Sequence, residues 1–184
     1  MSITGPLVEM LARNSKIAET YQAPPPLLKM AERMRATRQG VVVISCSDPR
    51  LNPYQVLGLD ATLKATMLRN AGGRVFDAIR TLATLQTIGD PGTIVVMHHT
   101  DCGMTHFHDD AIKKALFEIA PGEKELIDRT KFGEITGSIE ESVLKDLALL
   151  RASPLIKKST QIVGLKYNIH TGILTQVLES KSEL

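Results

Sequence analysis

Two cysteines and one histidine are the residues of this sequence best suited to hold a metal ion. Cys46 follows the apolar run 41–44, and Cys102 comes shortly after a second apolar run, 93–97. His99 stands three residues before Cys102. Thiolate and imidazole groups are ligands that zinc prefers, and three protein ligands leave a fourth position for water, which is typical of catalytic zinc. The sequence therefore predicts one zinc ion bound by Cys46, His99 and Cys102.

Other interpretations of the two cysteines stay open. A single buried cysteine is most often a small apolar core residue. Two cysteines that meet in the fold can instead form a redox disulfide. The zinc content of freshly prepared protein separates the redox interpretation from the metal site.

Asp48 and Arg50 form a second candidate, just beyond Cys46. Side chains two residues apart in an extended chain share one face. A neighbouring guanidinium keeps a carboxylate ionised and holds its orientation. Beside zinc, such a carboxylate could accept a hydrogen bond from bound hydroxide. The alternative is an ordinary ion pair in a turn, with Pro49 as the turn former.

A third candidate is the segment Arg69-Asn70-Ala71-Gly72-Gly73, which lies between a predicted strand and a predicted helix. Paired glycines permit a close backbone approach or a positive φ angle. A plain strand-to-helix turn is the alternative. The segment lacks the GxGxxG pattern, so it does not indicate a dinucleotide site.

The remaining histidines are assigned by position. His98 has the opposite strand face to His99, so we expect it to pack or hydrogen-bond away from the metal. His106 and His108 stand near the start of a predicted helix, where they are either proton relays at neutral pH or part of a solvated helix start. His170, in a late turn, is expected at the surface.

Alternating strands and helices must position these residues. The predicted strands are 41–44, 65–69, 93–97 and 161–167, with an edge strand at 173–177. Helical periodicity appears in 7–21, 27–35, 75–86, 112–119 and 138–150. This alternation favours an α/β fold with a mostly parallel four-stranded sheet plus an edge strand, helices on both faces and an N-terminal helical arm. In such a sheet, ligands gather at the carboxyl ends of the strands.

Two local features complete the expected fold. Ser138, with Glu141 three residues later, predicts a capping box at the start of the last helix. Residues 121–137 are predicted to form a long surface loop.

Composition limits the class of protein. The 184 residues are 43% apolar and 23% charged, with a net charge of +2. We expect one domain over 1–184, with residues 1–39 as the arm. No block of like charge indicates a nucleic-acid partner, and no apolar run approaches the roughly 18 residues of a membrane span. Two cysteines without a secretory signal predict a reducing compartment, the cytoplasm.

The three motifs together resemble the β-class carbonic anhydrases. Residues 46–50 (CSDPR) are similar to the family's C-x-D-x-R, residues 69–72 to its R-N-A-G, and residues 99–103 (HTDCG) to its H-x-x-C-G. They follow the family's order and spacing. The resemblance is good over 41–119 and loose in the flanks. The short form HHTDCGM (98–104) resembles a small subgroup that includes carbonyl sulfide hydrolases.

This resemblance implies a reaction and a set of roles. Zinc hydroxide would hydrate carbon dioxide to bicarbonate, or hydrolyse carbonyl sulfide to hydrogen sulfide and carbon dioxide. Asp48 and Arg50 would orient the hydroxide, and Gly72 and Gly103 are candidate substrate contacts. Pro49 departs from the family's small or polar residue, and the family's substrate-facing glutamine has no clear match. A zinc-binding protein without activity remains a third alternative.

The resemblance also implies a homodimer or homotetramer in which the N-terminal arm embraces a partner subunit. The walls of the substrate pocket would be apolar. The candidates are Leu51, Tyr54, Val75, Phe76, Met104 and Phe107.

Overall fold

A computed structural model describes residues 5–60 and 63–178, which fall in two compact units, Met1–Met30 and Ala31–Leu184. The first unit contains helix α1 (Pro6–Ala18), which begins at a proline, a residue favoured in the first helical turn. None of the residues of α1 is buried. Within the described ranges, no helix combines the length and apolar character needed to cross a membrane.

The second unit is built on a five-stranded sheet in the order β2-β1-β3-β4-β5. The strands are β1 (Val41–Cys46), β2 (Thr66–Asn70), β3 (Thr93–His99), β4 (Gln161–Tyr167) and β5 (Leu174–Val177). The first four are parallel, and β5 runs antiparallel to β4. The predicted fold class is confirmed, and each strand begins within one residue of its expected start.

Helices accompany this sheet: the first of them precedes β1, and the others lie in the connections between parallel strands. They are α2 (Leu27–Thr37), α3 (Pro53–Val56), α4 (Ile79–Ile88), α5 (Gly103–His106), α6 (Asp109–Ile119), α7 (Lys124–Arg129) and α8 (Ile139–Ala152). The predicted capping box is present at α8. The Glu141 N–H donates to the Ser138 hydroxyl, and the Ser138 N–H donates to the Glu141 carboxylate.

Both faces of the sheet are buried, because alternate residues of β1 enter different clusters. Val42 and Ile44 pack with residues of α4 and α8 on one face. Val43 packs on the other face in a cluster that also contains both cysteines. A strand buried on both faces is encoded by a continuous β-branched run, which is why β1 could be recognised from the sequence.

Residues 121–137 were wrongly predicted as a surface loop. They contain α7, and the side chains of Ile127 and Ile135 are buried. The Ile135 N–H donates to the Met104 carbonyl at 2.8 Å, which fixes the segment against α5. Six helical residues are too few to show a helical period, so the pattern could not reveal α7.

Candidate metal centre

Cys46, His99 and Cys102 come together at one edge of the sheet. β1 and β3 are neighbours and parallel, so the strand ends that carry Cys46 and His99 lie side by side. Asp101, at a φ of 54°, turns the chain between His99 and Cys102. The two sulfurs are 3.7 Å apart, and the ligand atoms of all three residues lie within 4.8 Å of one another. All three side chains are buried.

The hydrogen bonding of His99 shows that this cluster suits a metal ion. Its Nδ1 lies 2.9 Å from the carbonyl oxygen of Thr100, which can only accept, so we assign the proton to Nδ1. Nε2 then carries a lone pair, is buried and has no hydrogen-bond partner. A buried polar atom without a partner costs about 1–3 kcal/mol. A cation shared with two free thiols satisfies this atom.

The two thiols have opposite pKa shifts. The hydrogen bond from Cys102 lowers the pKa of Cys46 to about 4, against the effect of burial, with a further hydrogen bond from the backbone N–H of Asp48 at 3.4 Å. The pKa of Cys102 is raised, first by its hydrogen bond to Cys46 and then by burial. The proton of the Cys102 thiol therefore lies in the hydrogen bond between the two sulfurs. A metal cation replaces that proton when it binds.

Asp48 and Arg50 form a two-pronged ion pair beside this cluster. Nε and Nη2 of Arg50 donate to the two carboxylate oxygens of Asp48 at 3.0 and 2.7 Å. Hydrogen bonding to Arg50, opposed by burial, lowers the pKa of Asp48 to about 2. Its Oδ2 atom is 3.9 Å from Nε2 of His99. An ionised carboxylate thus lies at the metal-facing nitrogen, where an orienting group is needed.

Asp101 was missed as a functional candidate, although it lies inside the third motif. Nη1 of Arg50 donates to Asp101 Oδ2 at 2.7 Å, and Nη2 donates to the Asp101 carbonyl at 2.8 Å. Hydrogen bonds from Arg50 and then His106 lower the pKa of the Asp101 carboxyl. Arg50 is therefore held between two carboxylates, and this fixes the face that it presents to Asp48.

A family model described as carbonic anhydrase matches residues 41–174 of this chain. The chain belongs to the β-carbonic anhydrase family. Beta-carbonic anhydrase 1 of Mycobacterium bovis is 31% identical over 170 residues, which are 92% of this chain and 96% of the relative. The predicted family is thus confirmed.

Two further similarities bear on the fold and on the substrate. The crystal structure of a carbonic anhydrase from Streptococcus mutans has a TM-score of 0.76 and 33% identity, and the match covers 97% of this chain and 100% of that one. A carbon disulfide hydrolase of Acidianus sp. (strain A1-3) is 34% identical over 149 residues, 70% of this chain and 72% of the relative. This relative is named for carbon disulfide, whereas the resemblance implied carbonyl sulfide as the alternative to carbon dioxide.

Arg69 organises the first motif of this β-carbonic anhydrase family member. Its Nε donates to the Cys46 carbonyl at 3.0 Å, and its Nη2 donates to the carbonyls of Asp48 and Leu51 at 2.7 and 2.8 Å. Three carbonyls of one loop therefore converge on one guanidinium. The motif R-N-A-G was the signal for this residue, but its target could not be read from the sequence.

The glycines of the second motif allow a close approach to β1. Gly72 and Gly73 have φ angles of 71° and 68°. A Cβ atom on Gly73 would lie 2.9 Å from the Ser45 carbonyl carbon and 3.0 Å from the Cys46 nitrogen, so only glycine fits there. At Gly103 a Cβ atom would meet nothing within 4 Å, which shows open space beside Cys102.

The other histidines divide as follows. His98 is buried on the face opposite His99 and hydrogen-bonds to Ser142, as predicted. His106 is 59% exposed and lies 2.8 Å from Asp101. His108 lies 3.3 Å from Glu134. Their role as proton relays stays a prediction.

The candidate wall residues also divide. Leu51 and Met104 share a buried cluster with Cys46 and Cys102. Val75 belongs to the cluster on the opposite face of the sheet, so its prediction as a wall was wrong. Tyr54 and Phe107 are 50% and 63% exposed. The Phe76 ring lies against the cationic groups of Arg74 and Lys131. Ile135, which the sequence did not single out, joins the cysteine cluster instead.

Proposed function

We propose that this chain binds one zinc ion through Cys46, His99 and Cys102 and hydrates carbon dioxide to bicarbonate. The observation that carries the proposal is the buried Nε2 of His99, which lacks a hydrogen-bond partner beside two free sulfurs. Two thiolates and an imidazole suit zinc and leave one position for water. Family membership supports the metal, and the 31% identical carbonic anhydrase supports the substrate.

The residues around this site support the chemistry of hydration. Zinc, when bound, supplies Lewis acidity that brings the pKa of a water molecule towards ~7. Asp48 is ionised and can only accept hydrogen bonds, so it takes one from the attacking water and orients the oxygen lone pair. Arg50, braced by Asp101, keeps the carboxylate in that orientation. The backbone N–H of Asp48 donates to the Cys46 sulfur at 3.4 Å and so stabilises the Cys46 thiolate.

We place the substrate beside the apolar cluster that contains Leu51, Met104 and Ile135. Gly72 and Gly103 are the proposed backbone contacts. The open space at Gly103 suits a small linear molecule, and the side chain of a bulkier residue at this position would occupy it. Gly103→Val is therefore expected to raise KM while zinc stays bound, which a substrate titration measures.

Carbonyl sulfide hydrolysis is the second candidate function. The carbon disulfide hydrolase similarity and the apolar wall both favour a sulfur-containing linear substrate. The same attack on carbon would give carbon dioxide and hydrogen sulfide. An apolar wall also suits carbon dioxide, so the wall alone does not separate the two substrates.

A comparison of kcat/KM for carbon dioxide, carbonyl sulfide and carbon disulfide tests the proposal, because this ratio measures discrimination between substrates. We expect carbon dioxide to have the largest value. A larger value for either sulfur compound would establish the alternative. Stoichiometric zinc with no turnover of any of the three would instead indicate a non-catalytic zinc protein, and a fresh preparation without zinc would favour the redox interpretation.

We further propose a homodimer or homotetramer. Support comes from α1, whose apolar side chains Leu7, Met10, Leu11 and Ile17 are all exposed; apolar surface of this kind marks interaction sites. Light scattering at micromolar concentration tests the proposal, and a monomeric mass would overturn it. The free state of both cysteines supports placement in the cytoplasm.

A further inference from the structure

A second group of polar side chains lies sealed in the core, on the face of the sheet opposite the cysteines. Its members are Arg74, His98, Ser142 and Asp146, whose exposed fractions are 6%, 0%, 2% and 0%. No role in the proposed reaction has been given to any of them. Buried charges destabilise a fold unless they are paired and hydrogen-bonded. The contacts of these four residues show which parts of the chain they hold in place.

Asp146, on α8, is the centre of this group. Its two carboxylate oxygens accept hydrogen bonds from Nη2 and Nε of Arg74, both at 3.0 Å, and Oδ2 also accepts from the Val75 N–H at 2.9 Å. Nε2 of His98 lies 3.4 Å from the same oxygen. Burial alone would raise the pKa of Asp146, but the hydrogen bonds from His98, Arg74 and Val75 lower it to about 2. Asp146 is therefore an anion stabilised by Arg74, His98 and the Val75 N–H.

Arg74 connects Asp146 to the turn behind Cys46. The Arg74 N–H donates to Asn70 Oδ1 at 2.7 Å, and Asn70 Nδ2 donates to the Arg74 carbonyl at 2.8 Å. This clamp closes the turn that contains Gly72 and Gly73. Gly73 lies against the end of β1, where a Cβ atom would meet the Ser45 carbonyl carbon and the Cys46 nitrogen. The position of Arg74 thus sets the position of the turn that packs against the strand end bearing a predicted metal ligand.

Arg74 also connects Asp146 to the apolar wall. Its Nη1 donates to the carbonyls of Gly133 and Glu134 at 2.8 and 3.0 Å. The next residue, Ile135, is bound through its N–H to Met104 and is packed with both cysteines. A single guanidinium therefore fixes two parts of the site from behind the sheet.

We propose that Asp146 is a positioning residue for the metal centre, which acts through Arg74 to fix the Gly72–Gly73 turn and Ile135. The inference rests on the proposed metal site. A core ion pair is a poor means of stabilisation, because well-packed apolar residues often do as well or better. A bidentate guanidinium–carboxylate contact fixes direction as well as distance, so it can hold the Gly72–Gly73 turn in one orientation against the end of β1.

The test compares two variants, Asp146→Asn and Arg74→Lys, with a matched control, Glu140→Gln. Asp146→Asn keeps the side-chain shape and removes the charge. Arg74→Lys keeps the charge and removes the fork. The control removes the acidic partner of Lys166 from the same helix, at a partly exposed ion pair. Each protein is assayed for zinc affinity, for the absorption spectrum of the Co²⁺-substituted form, and for kcat and KM separately.

We expect Asp146→Asn to bind zinc about tenfold more weakly, the usual scale for loss of a group that supports a ligand. The thiolate-to-cobalt absorption band should move, and kcat should fall about tenfold with little change in KM. Arg74→Lys should change each quantity in the same direction, and the control should match the parent protein.

Parent-like zinc affinity and cobalt spectrum in a folded Asp146→Asn protein would overturn the proposal, whatever its activity. If that variant does not fold, Arg74→Lys decides by the same two measurements. Zinc binding and the cobalt spectrum do not depend on which substrate is turned over. A chain without anhydrase activity would therefore refute the proposed function. Zinc affinity and the cobalt spectrum would still test the role of Asp146.

Discussion

Two aspartate–arginine pairs lie beside two consecutive histidines of β3, one on each face of the sheet. Asp48 and Arg50 are next to His99, and the Arg50 side chain is 52% exposed. Asp146 and Arg74 are next to His98, with side chains 0% and 7% exposed. The two arginines therefore lie in opposite surroundings, whereas both aspartates are largely buried, the Asp48 side chain being 9% exposed.

The difference in exposure separates two uses of one interaction. A pair that reaches water contributes about 0–1 kcal/mol to stability, so the fold depends little on it. A buried pair cannot lose one member without leaving an unpaired charge, at a cost of about 3–5 kcal/mol. The outer pair is suited to chemistry, and the inner pair is suited to fixed geometry.

Removal of a metal ligand should have the largest effect and should leave the inner pair untouched. We expect Cys102→Ser, and likewise Cys46→Ser, to lose zinc and all activity, because two ligands cannot hold a catalytic zinc site. Elemental analysis and an activity assay measure both effects. Circular dichroism should still show a folded protein. A zinc-loaded, fully active Cys102→Ser protein would remove the basis for the metal centre.

Asp146→Ala should chiefly affect stability. Arg74 would be left buried without its carboxylate, so the free energy of unfolding should fall by about 3–5 kcal/mol. Urea denaturation measures this change. If the loss is below about 1 kcal/mol, the inner pair behaves like a surface pair and the contrast between the two regions fails.

Asp48→Ala should chiefly affect turnover and should change stability little. Zinc stays bound, turnover falls about a hundredfold because the water loses its hydrogen-bond acceptor, and stability changes by less than about 1 kcal/mol. Steady-state kinetics and urea denaturation of one preparation give both numbers. Turnover within a few-fold of the parent would make Asp48 and Arg50 a purely structural pair.

Acid should remove the stability that ionised Asp146 contributes, and this effect should be smaller than that of Asp146→Ala. Asp146 has a pKa of about 2 in the folded chain against an ordinary 3.8. Its contribution is thus complete above the ordinary pKa and is lost as the pH falls through the folded pKa. The difference is about 2 kcal/mol. Urea denaturation between about pH 5 and about pH 2.5 should show a smaller loss for Asp146→Asn than for the parent protein.

Salt sharpens this comparison. The pKa of Asp48 is also lowered to about 2, chiefly by Arg50, but that arginine is half-exposed. Added salt at about 0.5 M should therefore weaken the acid dependence due to Asp48 and leave that of Asp146 unchanged. Equal salt sensitivity of Asp48→Ala and Asp146→Asn would contradict this assignment.

The strands and the metal ligands were accessible from the sequence for a local reason. Continuous β-branched runs mark buried strands, and the ligands directly follow the runs at Cys46 and His99. The capping box at Ser138 was equally local. Each of these signals lies within a few residues of the feature that it predicts.

The inner pair was not accessible in this way, because Arg74 and Asp146 are 72 residues apart. A weaker signal did exist. Asp146 stands three residues after Val143 and four before Leu150, on the apolar stripe of α8. A lone carboxylate in an apolar stripe predicts a buried partner, but a single sequence does not show which of its arginines that partner is.

The consecutive histidines of β3 also make the two regions a joint check on strand register. Side chains alternate between faces, so a slip of one residue in the pairing of β3 would exchange His98 and His99. His99 would then no longer point towards the cysteines, and Asp146 would lose its contact with His98. One error in register would disrupt both the metal centre and the buried group around Asp146. A correctly assembled metal centre therefore also shows that β3 is paired in the correct register.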